Sequence, residues 1–139
     1  MSSQQIEYNR SVIEEFRANR GQLGGHLEHM PILLLTTIGA KSGQPRVAPL
    51  GYITDGDRLI IFASDLGAES HPAWYYNLLA HPEVIVELGS ETFQATARVV
   101  EGAEREQLWT KALTPFPFIA DHQAKTSRQI PLVVLTRKE

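Results

Sequence analysis

The stretch PILLLTTIGAKSGQPRVAPLGYITDGDRLIIFA, Pro31 to Ala63, decides the fold. Its apolar and β-branched residues fall in three short runs, Ile32–Ile38, Arg46–Thr54 and Arg58–Ala63, and only turn chemistry separates them. Gly39-Ala40-Lys41-Ser42-Gly43-Gln44-Pro45 is a turn by composition, and Asp55-Gly56-Asp57 signals a tight hairpin. Parallel neighbours need a crossover of about a dozen residues or more, so three strands joined this closely pair antiparallel. That speaks against a doubly wound parallel sheet.

Working outward, Gln4 to Arg20 reads as an amphipathic helix. Ile6, Val12, Ile13 and Phe16 form its apolar stripe, and Gly21, Gly24 and Gly25 end it. Packing on the barrel accounts for this helix. A lid or a membrane-surface role is the alternative, weakened for the membrane by a polar face of mixed charge. Beyond Ala63 come a loop, Ser64–His71, and a short helix opened by Pro72 that closes before Pro82. Val84–Leu88 and Thr92–Val100 form a second hairpin, and Ala103–Leu113 and Ile119–Lys125 are helical on either side of Pro115 and Pro117. Pro131–Thr136 is a last apolar strand. The pattern is α+β, an antiparallel β-barrel of about six strands with flanking helices, in a single domain covering residues 1–139.

Composition bounds the chemistry. A net charge of −3 argues against a nucleic-acid partner, so attraction for an anion has to be local. The absence of cysteine removes disulfides, thiolate nucleophiles and Cys-based metal sites. No secretory signal opens the chain, and its apolar runs are too short to span a bilayer, which points to the cytoplasm. No metal site is expected: His26 and His29 have HxxH spacing but lie in a Gly-interrupted stretch without a third ligand. His71, His81 and His122 read as isolated surface or packing residues. A hydrolase triad from Asp121, His122 and a serine lacks a G-x-S-x-G elbow.

Two segments carry chemistry. In Thr36–Arg46, Lys41 sits in a glycine-flanked turn with Arg46 at the start of the next strand. Such turns can aim backbone N–H groups and two cations at one phosphate or carboxylate, although the turn alone reads more readily as a solvated hairpin. In Ala63–Leu78 a strand runs through a loop into a helix, where an anion or the polar edge of a ring can settle, and Trp74, Tyr75 and Tyr76 can pack along a flat ligand or serve the core.

Taken together, PILLLTTIGAKSGQPRVAPLGY, the Asp-Gly hairpin, FASDLGAESHPAWYYNLLAHPEV and the late IPLVVL strand closely resemble the F420-dependent nitroreductase and F420H2-dependent quinone reductase family of actinobacteria. The resemblance runs from about Asn9 to Thr136. It implies a split β-barrel and an F420H2-dependent oxidoreductase that passes hydride from reduced coenzyme F420 to an organic acceptor, a quinone foremost. Lys41 and Arg46, with Ala40 and Ser42, match the positions that hold the phosphate and oligoglutamate tail. Val47, Ala48, Pro49, Leu50 and Gly51 match the strand beside the ring. Phe62, Ala63, Ser64 and Asp65 match the loop over the deazaflavin, and Ala73, Trp74, Tyr75, Tyr76 and Asn77 the helix closing the site. Ser64 is the side chain expected nearest the ring, with the last proton coming from solvent.

The chain also departs from the family pattern. Nitroimidazole-activating members carry tyrosines where this sequence has Gly51, Phe116, Ile119 and His122, and Asp65 replaces a basic residue. The resemblance therefore favours quinone-type acceptors in an open apolar pocket lined by Phe116, Phe118, Ile119, His122 and Trp109. A non-catalytic carrier of F420 is the alternative function, and FMN the alternative cofactor. A monomer or a homodimer, in the cytoplasm or peripheral at the inner membrane face, fits the resemblance.

Overall fold

A computed structural model describes residues 3–138. Helix α1, Ser3–Ala18, is followed by strands β1 (Ile32–Ile38), β2 (Pro45–Asp55) and β3 (Arg58–Phe62). Helix α2 (Ala73–Ala80) leads to β4 (Glu83–Leu88) and β5 (Glu91–Val99). Helices α3 (Gly102–Ala112) and α4 (Phe118–Ala124) precede β6 (Leu132–Arg137). These bounds lie within one or two residues of the expected ones. Single helical turns at Gly25–Leu27 and Asp65–Gly67 fall in stretches read as loop.

The strands close a barrel in the order β1-β2-β3-β6-β5-β4, antiparallel at every seam. Alternation along each strand splits the apolar residues into two cores. Leu33, Leu35, Leu59, Ile61, Val84, Val86, Ala95, Val133 and Leu135 fill the barrel, with Trp74 and Leu78 of α2 packed among them. On the outside, Ile53, Ile60, Leu132 and Val134 meet Leu108, Ala112, Phe116 and Ile119 of the α3–α4 region. Helix α1 packs against β2, and Arg17 ties it to Glu87 of β4 with two hydrogen bonds of 3.0 and 2.8 Å. It therefore crosses the outer face of β1, where Leu34 is fully buried.

Candidate active site

Antiparallel order brings the C-terminal ends of β1 and β3 and the N-terminal ends of β2 and β6 to one end of the barrel. The two segments singled out in the sequence, 36–46 and 63–78, therefore converge there. Strand β2 pairs with β1 from Pro45 to Gly51 but with β3 only from Tyr52 to Asp55. Among the described residues its other edge is open from Pro45 to Gly51, beside the chain that leaves β3 at Phe62. A flat ligand lying along such an edge can bond to backbone groups that no strand uses. Val47 to Gly51 are half-buried.

Helix α2 closes this end. Its Asn77 is buried; Nδ2 donates to the Thr37 hydroxyl at 3.1 Å and Oδ1 accepts the Ala40 N–H at 2.9 Å. Asn77 thus clips the 39–44 turn to the helix, and Trp74 is core. Tyr75 is half-buried and Tyr76 exposed, and both lie against His71 at ring-centroid distances of 4.7 and 5.7 Å. In the clipped turn Ser42 Oγ accepts the Gln44 N–H at 3.1 Å, while Lys41 and Arg46 are exposed. Among the described residues neither cation is in an ion pair, and Arg46 donates only to the Pro45 carbonyl at 3.1 Å. Eight other basic side chains are each paired with Asp or Glu, whereas Lys41 and Arg46 leave their charge free within six residues of one another at one barrel end.

The 64–71 loop is shaped from far down the chain. Arg128 donates to the carbonyls of Ala63, Ser64 and Ala68 at 2.9, 2.6 and 2.8 Å, and its Nη1 lies 2.9 Å from His71 Nδ1. A guanidinium supplies five N–H donors in a fixed fork, which suits it to gather several carbonyls. Burial, then the Arg128 charge, push the His71 pKa below the ordinary histidine value, so the neutral ring that can accept from Arg128 is favoured. Gln123 in turn accepts the Ile130 N–H at 2.9 Å and donates to the Arg128 carbonyl at 2.7 Å. Gly67, at φ 81°, passes so close to α4 that a Cβ there would lie 2.6 Å from the His122 carbonyl oxygen.

This packing sets Ser64 Oγ 2.7 Å from His122 Nδ1. Ser64 is 8% exposed and His122 half-buried. Burial and the Lys125 charge lower the His122 pKa, against a smaller opposing pull from Asp121. His71 and His122 are thus not the isolated residues that the sequence indicates. Their partners lie 57 and 58 residues away, and only the closed barrel juxtaposes them.

The residues expected to line the acceptor pocket are divided. Phe116 and Ile119 are buried in the outer core, with Phe116 edge-on to Phe62 at 6.0 Å and its ring tip facing Gly51. Trp109 packs against the same core, with the Arg105 guanidinium 5.0 Å from its ring centroid. Phe118 is exposed and stands 5.4 Å from the His122 ring. The accessible apolar edge is therefore Phe118 with His122, backed by Phe116. Arg128 and Gln123 carry no local signal in the sequence; nothing in the run TSRQ announces three carbonyls contributed by residues 63–68.

The geometry suits a cofactor with a flat ring and an anionic tail: a free basic pair, an open strand edge, and a polar dyad beside an aromatic wall. The family model described as F420H(2)-dependent quinone reductase matches residues 8–137. An F420H(2)-dependent quinone reductase of Mycobacterium tuberculosis is 39% identical over 127 residues, covering 88% of this chain and 85% of that one. A solved F420-H2 dependent reductase superposes with a TM-score of 0.70 at 41% identity, over 81% of this chain and 99% of its own. A chain described as a domain-swapped dimer gives 0.73 at 36% identity, over 94% of this chain and 98% of its own. Fold and site together define an oxidoreductase that works with coenzyme F420. More narrowly, the chain belongs to the F420H2-dependent quinone reductase family.

Proposed function

We propose that this protein reduces a quinone-type acceptor with F420H2, holding the coenzyme along the open edge of β2. The observation that carries the proposal is the uncommitted pair Lys41 and Arg46 at the same barrel end as that edge. Lys41, Arg46 and Ser42 hold the phosphate and the acidic tail, and Ala40 to Gly51 supply backbone and flat apolar surface for the rest. The bound coenzyme supplies hydride. The protein's share is binding, orientation and water exclusion: Phe62, backed by the buried Phe116, walls the ring, Asn77 fixes the turn, Arg128 fixes the loop, and Ser64 presents its hydroxyl to the reacting side.

A fluorescence titration with F420 and, in parallel, FMN tests this, followed by F420H2 oxidation with a soluble quinone. Tight F420 binding, no FMN response and quinone-dependent turnover are expected. FMN preference would overturn the cofactor assignment, and binding without turnover would leave a carrier.

We place the enzyme in the cytoplasm; contact of α1 with the inner membrane face is the alternative. Among the described residues no helix is long and apolar enough to cross a membrane. Ile6 and Tyr8 are exposed on α1. Removing residues 1–20 should then abolish partitioning onto vesicles. The domain-swapped neighbour favours a homodimer, which sedimentation would test.

A further inference from the structure

We infer that His122, acting through Ser64, is the proton source of the reaction and controls whether the Ser64 hydroxyl can donate. The inference rests on the ring placement proposed above. It replaces solvent by a named side chain as the donor behind Ser64.

The Ser64 oxygen is held in place. Its Oγ lies 2.7 Å from His122 Nδ1, the Ser64 carbonyl accepts from Arg128 at 2.6 Å, and Gly67 locks the loop against the backbone of α4 at His122. A hydroxyl has one proton to give. When His122 is neutral with its proton on Nε2, Nδ1 takes that proton's hydrogen bond, and Ser64 can only accept from a ligand. When the ring is an imidazolium, Nδ1–H donates to Oγ and the Ser64 proton is free for the acceptor. Hydride transfer leaves a quinone oxygen anionic. That oxygen then forms an O–H bond to the Ser64 proton, Oγ takes the Nδ1 proton, and neutral His122 regains one from water. The quinone thus gains one hydride, which the bound coenzyme would supply, and one proton through Ser64; the coenzyme's own proton would return to solvent and balance the one His122 takes up.

The surroundings favour transfer. Lys125, just past the end of α4, pushes the imidazolium towards release, Asp121 opposes it more weakly, Asp65 lies in the loop that packs on α4, and Arg128 with His71 stands behind the Ser64 carbonyl. Because the ring is neutral for most of the time at pH 7, kcat should rise as pH falls towards the His122 pKa.

The test pairs kinetics with NMR on the F420-loaded protein. In His122→Asn, kcat with a soluble quinone should fall on the order of 10²-fold. The dependence on pH should vanish, while F420 affinity holds. Nitrogen-15 histidine spectra should show a His122 titration that tracks the wild-type pH–rate curve and moves in Ser64→Ala. A His122→Asn variant with the wild-type pH profile overturns the inference, as does a His122 titration unmoved by Ser64→Ala. Failure of the wild type to bind F420 by fluorescence would instead remove the ring placement, and the relay with it.

Discussion

Asn77 Oδ1 lies 2.9 Å from the backbone nitrogen of Ala40, so a helix and a hairpin turn distant in sequence share one hydrogen bond at the site. The same side chain satisfies the hydroxyl of Thr37, which is fully buried. Asn77→Ala leaves both groups without their partner. The expected cost is about 1–3 kcal/mol, the usual range for orphaned buried polar groups. Urea unfolding should register it, together with weaker F420 binding, because the turn carrying Lys41 loses its clip. Unchanged values in both measurements would mean that the hairpin bonds hold the turn unaided.

Lys41→Ala and Arg46→Ala should each weaken F420 binding by roughly 1.5–3 kcal/mol, the scale of hydrogen bonds to charged groups. Both side chains are exposed, so the loss should shrink as ionic strength rises and the interaction is screened. Calorimetric titrations at low and high salt check this. Wild-type affinity in both variants would put the anionic tail elsewhere.

Gly67→Ala tests the loop mechanically. The added methyl would stand 2.6 Å from the His122 carbonyl oxygen at a φ of 81°, which L side chains rarely adopt. The loop must shift off α4, which separates Ser64 from His122. We expect a loss of thermal stability and a larger loss of quinone turnover than of F420 binding. Equal losses of both would mean that the loop positions the coenzyme rather than the dyad.

On the opposite flank, Asp55 bridges Arg58 and Lys111, while Glu104 bridges Arg58 and Arg98. Hydrogen bonds from Arg58 and Lys111 hold the Asp55 carboxyl below its ordinary pKa, and Arg98 and then Arg58 do the same for Glu104. A depressed carboxyl pKa stabilises the fold above the unfolded value and ceases to do so as pH falls through the folded one. Stability should therefore be insensitive to these groups from pH 7 to about 5 and decline below about pH 4. Asp55→Asn should flatten that acid limb in a pH series of thermal melts.

Most of the fold was legible because its signals are local. Asp55-Gly56-Asp57 announces a hairpin, and short apolar runs bounded by turn residues, such as Ile32–Ile38, mark out the strands. The basic turn and the strand–loop–helix segment were likewise visible as motifs, and antiparallel order brings them together. What was not legible is everything that depends on where the last strand inserts. Arg128 meets Ala63 and Ser64, and His122 meets Ser64, only because β6 enters between β3 and β5. Periodicity reports which face a residue occupies and is silent on which partner stands across from it. The tyrosine-to-phenylalanine departure at Phe116 pointed to a changed pocket. That Phe116 would turn into the outer core follows from its neighbours Ile53, Ile60 and Leu132 on other strands.

The placement of β6 carries one more consequence, for the order in which the molecule comes into being. This strand is the sixth of the barrel in chain order, and it closes the barrel between β3 and β5 just after the segment bearing His122, Gln123 and Arg128. A nascent chain that has emerged only as far as β5 already holds the basic turn, the open edge and helix α2, yet lacks Arg128 and His122, which fix the 64–71 loop. Seam closure and loop ordering are thus one late event, bridging contacts of long sequence separation that are slow to form. The protein stays incompetent for chemistry until β6 has docked, and acquisition of coenzyme-dependent turnover reports the closing of that seam.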